Sequence, residues 1–250
     1  MEKNVILFGS IPLATKVLKL LENNNSANLK GVCCVDLQSN KWRHEQELPS
    51  AYKYCKENNI PILNHNDLLE NTYDIGISVR YHKILSQEII EKFKQGIINA
   101  HGGLLPKYRG TYNNIHAILN KEEVFGASLH YISDGIDNGD IVDTREVKIK
   151  DDDTGFDLYQ KSEEMCYELF VDNLDSIIKG ENNRTPQDTI IEKENIDVNN
   201  YKSNELSELK KIDLDNINQS YDIIRAFDSP FHEPAYTILD NKKIYLRTKY

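Results

Sequence analysis

Two rhythms of apolar residues run along this chain. The compact run Val5-Ile6-Leu7-Phe8 gives way to Leu13, Ala14, Val17, Leu18, Leu20 and Leu21, which recur at helical spacing. The pattern predicts a strand over Asn4 to Phe8, a turn at Gly9-Ser10 and a helix over Pro12 to Glu22. Pro12 suits a first helical turn, where its missing N–H costs nothing. Further strands are expected at Leu29 to Val35, Ile60 to Leu63, Asp74 to Val79 and Gly96 to Ala100, with helices near Pro49 to Asn58 and from Ser86. Such alternation predicts an α/β fold, a Rossmann-like open and mostly parallel sheet with helices on both faces.

Beyond about Ile115 the rhythm changes. A short helix over Asn114 to Leu119 precedes strands at Gly126 to Ile132 and Ile141 to Ile149. The longest amphipathic helix runs from Thr154, a suitable N-cap, to Lys179 before Gly180. Residues 1–185 are read as a catalytic domain. The polar stretch Glu181 to Asp188, with Pro186, reads as a linker. Residues 186–250 form a small α+β extension with a helix near Ser220 to Phe227. It ends in a hairpin over Ala235 to Leu246 that turns at Asp240-Asn241.

Composition narrows the function classes. The net charge is −10, from 30 basic and 40 acidic residues, and no basic stripe of the kind that grips a nucleic-acid backbone is visible. No run approaches the roughly 20 apolar residues of a membrane helix. The first residues lack the zones of a signal peptide, so a cytoplasmic protein is expected. Cys33, Cys34, Cys55 and Cys166 show no metal-ligand spacing, and free buried thiols with no metal site are expected. Gly9 is not followed by a G-x-G-x-x-G pattern, which argues against a nicotinamide cofactor.

Two runs carry chemistry. The strand ending at Asn99 delivers Asn99-Ala100-His101-Gly102-Gly103 beyond a carboxyl edge, where open α/β sheets bind ligands. Asn99 and His101 are two apart, so extended backbone projects both to the same side. An amide that donates hydrogen bonds beside an imidazole that moves protons suits acyl transfer. Asp134-Gly135-Ile136-Asp137-Asn138-Gly139-Asp140 adds a carboxylate-rich loop between two strands. His44, His65, His82, His116, His130 and His232 have no partner at motif spacing and read as surface or packing residues.

Taken together, these runs resemble the 10-formyltetrahydrofolate-dependent formyltransferases. The resemblance rests on Asn99-x-His101, on Leu104-Leu105-Pro106-x-Tyr108-Arg109-Gly110 and on Asp137-x-Gly139-Asp140-Ile141, and covers roughly residues 1 to 180. Gly103 departs from the family pattern, where many members carry Ser. The resemblance implies Asn99, His101 and Asp137 as the catalytic trio and 10-formyltetrahydrofolate as the co-substrate. It implies folate contacts from Ser78, Val79, Arg80 and Tyr81 at the end of the predicted strand Asp74 to Val79 and just beyond it, and from Asp134, Gly139 and Asp140. His101 suits either of two roles: cationic oxyanion stabiliser or neutral proton acceptor.

The family formylates methionyl-tRNA, glycinamide ribonucleotide or nucleotide-linked amino sugars. The acidic chain disfavours tRNA. Tyr81-His82-Lys83, Tyr108-Arg109-Gly110-Thr111-Tyr112 and the Arg225 to Tyr236 tail look like the sugar N-formyltransferase subgroup. The implied acceptor is a dTDP-linked 4-amino-4,6-dideoxyhexose such as the glucose form, used for surface polysaccharide. Lys83, Tyr108, Arg109, Tyr112, Phe231 and Tyr236 are its candidate contacts, by stacking on a base or pairing with pyrophosphate. A methionyl-tRNA or other amine formyltransferase and a 10-formyltetrahydrofolate hydrolase are the alternatives. The apolar tail further implies a homodimer.

Overall fold

The computed structural model describes residues 2–37, 49–214, 220–230 and 232–249. Its first half alternates β1 (Lys3–Phe8), α1 (Pro12–Glu22), β2 (Ala27–Cys33), α2 (Ala51–Asn58), α3 (His65–Leu69), β3 (Ile75–Val79), α4 (Gln87–Ile90) and β4 (Ile97–His101). Next come β5 (Tyr108–Gly110), α5 (Asn113–Leu119), β6 (Val124–Tyr131), β7 (Ile141–Lys148) and α6 (Gly155–Lys179). The tail adds α7 (Gln187–Glu194), β8 (Asn199–Tyr201), α8 (Leu206–Leu209), α9 (Ser220–Ala226), β9 (Ala235–Leu239) and β10 (Lys242–Leu246).

One six-stranded sheet, in the order β2-β1-β3-β4-β6-β7, organises the chain. The first four strands are parallel, and β6 and β7 extend the sheet antiparallel. Val5, Ile6, Leu7 and Phe8 are all fully buried, which explains why the first strand reads as a continuous apolar run. Successive residues then part company across the pleat. Val5 and Leu7 join the cluster under α1 and α6, whereas Ile6 and Phe8 join Leu68, Ile89 and Phe93 on the opposite face. Helices therefore cover both faces, and the sheet is of the predicted mostly parallel α/β kind.

The helix ends follow local chemistry. Thr154 accepts from the Asp157 N–H, while the Asp157 carboxylate accepts from the Thr154 N–H, a reciprocal cap at the start of α6. Gly180 terminates the helix in a left-handed conformation. α1 spans the range expected from its periodicity.

Several segments differ from the sequence expectation, among them α3 and β5, which the apolar pattern leaves out. Ile60 to Leu63 forms no strand; Ile62 makes a single bridge to Val32, beside Pro61, which has no N–H to give a ladder. Glu181 to Asp188 is not a free linker. Thr185 exchanges both backbone hydrogen bonds with Ile141, and Arg184 lies over the Tyr131 ring and pairs with Asp140 at 2.7 Å. The tail also holds α7, β8 and α8, which the pattern does not announce.

That tail shares the main core. Leu206, Ile212, Ala226, Phe227 and Ala235 are buried in the same cluster as the sheet, and β8 pairs in parallel with β5. Asp240 and Asn241 both take left-handed backbone in the tight turn between β9 and β10. Ile238, Leu239, Ile244 and Tyr245 of this hairpin remain exposed. Among the described residues, no helix is long and apolar enough to cross a membrane.

Candidate active site

Sheet register builds the centre. Asn99 on β4 sits opposite Ser78 on β3 and His130 on β6, so the three side chains form a row across three strands. Ser78 Oγ donates to Asn99 Oδ1 at 2.8 Å, and Asn99 Nδ2 lies 3.2 Å from His130 Nε2. His130 Nδ1 is 2.9 Å from the Tyr131 carbonyl, which can only accept, so the proton of the neutral ring belongs on Nδ1. Nε2 is then the acceptor for Asn99. One Asn99 amide hydrogen is used in this way, and its second is left for a ligand.

His101, two residues on, is buried and turned to the same region. Its Nε2 lies 2.7 Å from the Tyr108 carbonyl and its Nδ1 3.4 Å from Asp137 Oδ2. Asp137 takes a left-handed backbone and accepts the Gly110 N–H at 2.9 Å; its other oxygen is 3.5 Å from His130 Nε2. Gly110 itself has φ of +88°, and a Cβ there would meet the Tyr201 carbonyl at 2.2 Å, so no side chain fits at this donor.

Charge follows from these contacts. Burial pushes the Asp137 carboxyl up, but His101, His130 and the Gly110 N–H outweigh it and hold the group well below the usual carboxylate range. Burial pushes the His101 imidazole below its ordinary value, against the opposing pull of Asp137, with His130 and Arg80 adding to the downward side. The pair at rest is thus an ionised carboxylate beside a neutral imidazole. Such an imidazole can take a proton and pass the new charge to Asp137.

Asn99 and His101 open onto a cleft of about 550 Å³. Arg80, Tyr81 and Tyr112 line it from the core, and Phe156 and Tyr159 from α6. The tail closes it with Leu206, Lys210, Phe227, Ser229 and His232.

The formyl transferase family model matches residues 5–174, a span that contains the whole constellation. This chain belongs to that family. A methionyl-tRNA formyltransferase from Sulfurihydrogenibium sp. is 33% identical over 194 residues, which is 74% of this chain and 62% of the relative. The chain thus spans about three fifths of that relative's length. The N-formyltransferase from Helicobacter canadensis, solved with folinic acid and dTDP-3-aminofucose, superposes with a TM-score of 0.78 at 25% identity, covering 98% of this chain and 86% of that one. A 4-N formyltransferase from Francisella tularensis shares the fold, with a TM-score of 0.81 at 23% identity over 98% of this chain and 97% of that one.

The residues singled out by sequence fall into distinct places. Arg80, Tyr81, Asn99, His101 and Tyr112 line the cleft, and Asp137 stands behind His101. Ser78 and Val79 are buried, and the Ser78 hydroxyl is spent on Asn99. Tyr108 presents its carbonyl to His101 while its hydroxyl donates to Glu122. Arg109 is turned away from the cleft, donating to Gln187 Oε1 at 2.7 and 3.1 Å. Asp140 is paired with Arg184, Gly139 gives its carbonyl to Gln187, and Asp134 and Lys83 are exposed outside the lining. Tyr236 lies under Lys243 on the hairpin rather than in the cleft wall. Phe231 and His44 lie outside the described residues.

Two residues escaped the sequence reading. His130 is not a packing histidine without partners, since it accepts from Asn99 and lies 3.5 Å from Asp137; the available signal was polar Ser128 and His130 alternating in an apolar strand. Gln187, buried at the start of α7, donates to the carbonyls of Asp137 and Gly139 at 2.8 Å and clamps the acidic loop from below. Nothing in its sequence neighbourhood announces that role.

Proposed function

We propose that this protein transfers the formyl group of 10-formyltetrahydrofolate to the amine of a nucleotide-linked amino sugar. The observation that carries this reading is the tail. Its side chains close the cleft that holds Asn99 and His101, and the likeness to the sugar enzyme from Helicobacter canadensis runs over 98% of the chain, tail included. Lys210 offers positive charge and His232 a hydrogen-bonding ring to a diphosphate, and the exposed Tyr112 offers a ring to a base. A dTDP-linked 4-amino-4,6-dideoxyglucose is the acceptor we favour, in a cytoplasmic reaction that supplies surface polysaccharide.

In the reaction, the acceptor amine attacks the formyl carbon. The spare Asn99 amide hydrogen stabilises the oxyanion that develops on the formyl oxygen, a contribution worth about 100- to 1,000-fold in rate. The neutral His101 takes the amine proton, and Asp137 stabilises the imidazolium. The tetrahedral intermediate then breaks its bond to N10 of the folate, the proton held by His101 passes to N10, and tetrahydrofolate leaves. Asn99, His101 and Asp137 are our catalytic residues, and we place the formyl end of the folate beside Arg80 and Tyr81.

The decisive experiment is incubation with 10-formyltetrahydrofolate and a panel of amino-sugar nucleotides, read by product mass. A formamido product from one or more of them is expected. Formate release without any acceptor would mark a hydrolase. The identity to methionyl-tRNA formyltransferases keeps charged initiator tRNA on the panel as the second reading.

The exposed Ile238, Leu239, Ile244 and Tyr245 of the hairpin support the homodimer we include in this reading. Light scattering giving the mass of a single chain would remove it.

A further inference from the structure

The short strand β5 has two edges, and they serve different partners. Successive peptide groups of an extended chain point to opposite edges. One edge carries the Tyr108 carbonyl, 2.7 Å from His101 Nε2, and the Gly110 N–H, which donates to Asp137 at 2.9 Å. One three-residue strand therefore touches both members of the reactive pair. The other edge, counted one residue beyond each end, faces the tail. There the Lys107 carbonyl accepts from the Asn199 N–H, and the Thr111 N–H donates to the Tyr201 carbonyl, each at 3.0 Å. This ladder joins β5 to β8, and among the described residues β5 pairs with no strand of the six-stranded sheet. A two-stranded ladder so short is marginal by itself, so side chains must hold it.

Tyr201 does so. Its ring stacks on His116 of α5, with centroids 3.8 Å apart and planes 14° from parallel, and lies against Tyr108 at 5.5 Å and 27°. Burial pushes the His116 imidazole below its ordinary value, against the pull of Glu205, so the ring under Tyr201 is neutral. Asn120 Nδ2 joins the two tyrosines, donating to the Tyr201 hydroxyl at 2.8 Å and the Tyr108 hydroxyl at 3.0 Å. The backbones approach closely as well, since a Cβ at Gly110 would lie 2.2 Å from the Tyr201 carbonyl. Asn113 of α5 adds two longer bonds, 3.3 Å, to the carbonyls of Tyr108 and Gly110. Tyr201 itself lines no part of the cleft.

We propose that Tyr201 is a positioning residue for catalysis, whose stacked ring locks β8 of the tail onto β5 so that the far edge of β5 fixes the His101 ring and the Asp137 carboxylate together. The Tyr108 carbonyl can only accept, so Nε2 carries a proton in either charge state of the ring. That leaves Nδ1, 3.4 Å from Asp137, as the nitrogen that takes the proton of the amine. A loosened β5 frees the imidazole and the carboxylate at once. The tail in this way completes the reactive centre as well as the cleft wall.

The proposal rests on the roles given to His101 and Asp137 above. Full-length wild type, Tyr201→Ala and Tyr201→Phe are compared at a temperature where circular dichroism shows each to be fully folded. Steady-state kinetics is one readout. The other is the His101 Nε2 proton in a proton–nitrogen NMR spectrum, assigned by its loss in His101→Asn. Phe keeps the ring and loses only the bond to Asn120, so it is expected to retain the resonance and most of the turnover. Ala is expected to lose the resonance to exchange with water and to lower kcat roughly 10- to 100-fold, with both KM values little changed. Wild-type turnover in Tyr201→Ala, an intact resonance there, a loss carried by KM alone or a kcat loss shared by Phe would each overturn the proposal. So would the absence of that proton from the wild-type spectrum. If Tyr201→Ala does not fold, Tyr201→Leu, which keeps apolar bulk without a flat ring, decides in its place. If no amine is formylated, the assigned function fails and the resonance alone decides this proposal.

Discussion

His101 and Asp137 set one another's charge, so a change at either is read at both. The His101 imidazole sits below its ordinary value of 6.5 because burial outweighs the nearby carboxylate, and Asp137 is what holds it from falling further. Asp137→Asn should therefore lower the His101 midpoint in an NMR titration. It should also cut kcat by roughly 100-fold or more, as should His101→Asn, because the imidazolium loses its partner or is never formed. Near wild-type turnover in either variant would remove both from the reactive centre. Folded-state values of both groups are depressed, so the stability they contribute is present above their unfolded values and lost as pH falls, first below 6.5 for His101 and then below 3.8 for Asp137. At this scale strand alternation puts Asn99 and His101 on one side of β4, and the resemblance of the motif is what marked the pair as candidates. The bond from Asn99 to His130 was not legible, because it depends on which residue of β6 stands opposite, and a register is not written in either strand by itself.

Elements differ in what they contribute to the site, and two substitutions separate scaffold from support. Thr154 caps α6 and adds no side chain to the cleft that Gly155 and Phe156 line, so Thr154→Ala should cost about 1 kcal/mol in chemical denaturation and lower kcat less than a change at Gln187. Gln187 at the start of α7 ties together Arg109 and the carbonyls of Asp137 and Gly139. Gln187→Ala strands these buried groups and frees the loop that carries Asp137. It should cost about 1 to 3 kcal/mol and also lower kcat roughly 10- to 100-fold through misplacement of the carboxylate. Equal behaviour of the two variants in both assays would show that α7 does not support the centre. The same contrast marks what sequence could show. α1 and α6 are bounded by their own residues, a proline and a periodic face for one, a Thr-Asp cap and Gly180 for the other. α7, β8 and the Thr185 bridge lack such signals, because their partners lie in β5, β7 and the acidic loop, which no local pattern connects to them.

Across the whole molecule the tail is part of the core and part of the cleft at once. Leu206, Ile212, Ala226, Phe227 and Ala235 fill the main apolar cluster, so deleting residues 186–250 would expose buried surface in the catalytic half and should yield insoluble protein. Truncation thus cannot separate folding from recognition, and single side chains must do it. Lys210 is half-buried, 3.7 Å from Glu233 and above the Phe227 ring, and it lines the cleft with His232. If the tail holds the diphosphate of a nucleotide sugar, Lys210→Ala loses a charge-assisted contact and should raise KM for the sugar nucleotide about 10-fold, with kcat and the KM for 10-formyltetrahydrofolate little changed. His232→Ala should act in the same direction. The readout is a steady-state matrix in which each substrate is varied at saturating levels of the other. An equal rise in both KM values would mean the tail shapes the cleft as a whole, and no rise in either would detach it from acceptor recognition. In that last case the net charge of −10 becomes the remaining argument against a tRNA acceptor. A salt-dependent anisotropy titration with initiator tRNA then decides, since a chain that grips phosphates loses affinity steeply as salt rises and this one is expected to show no binding to lose.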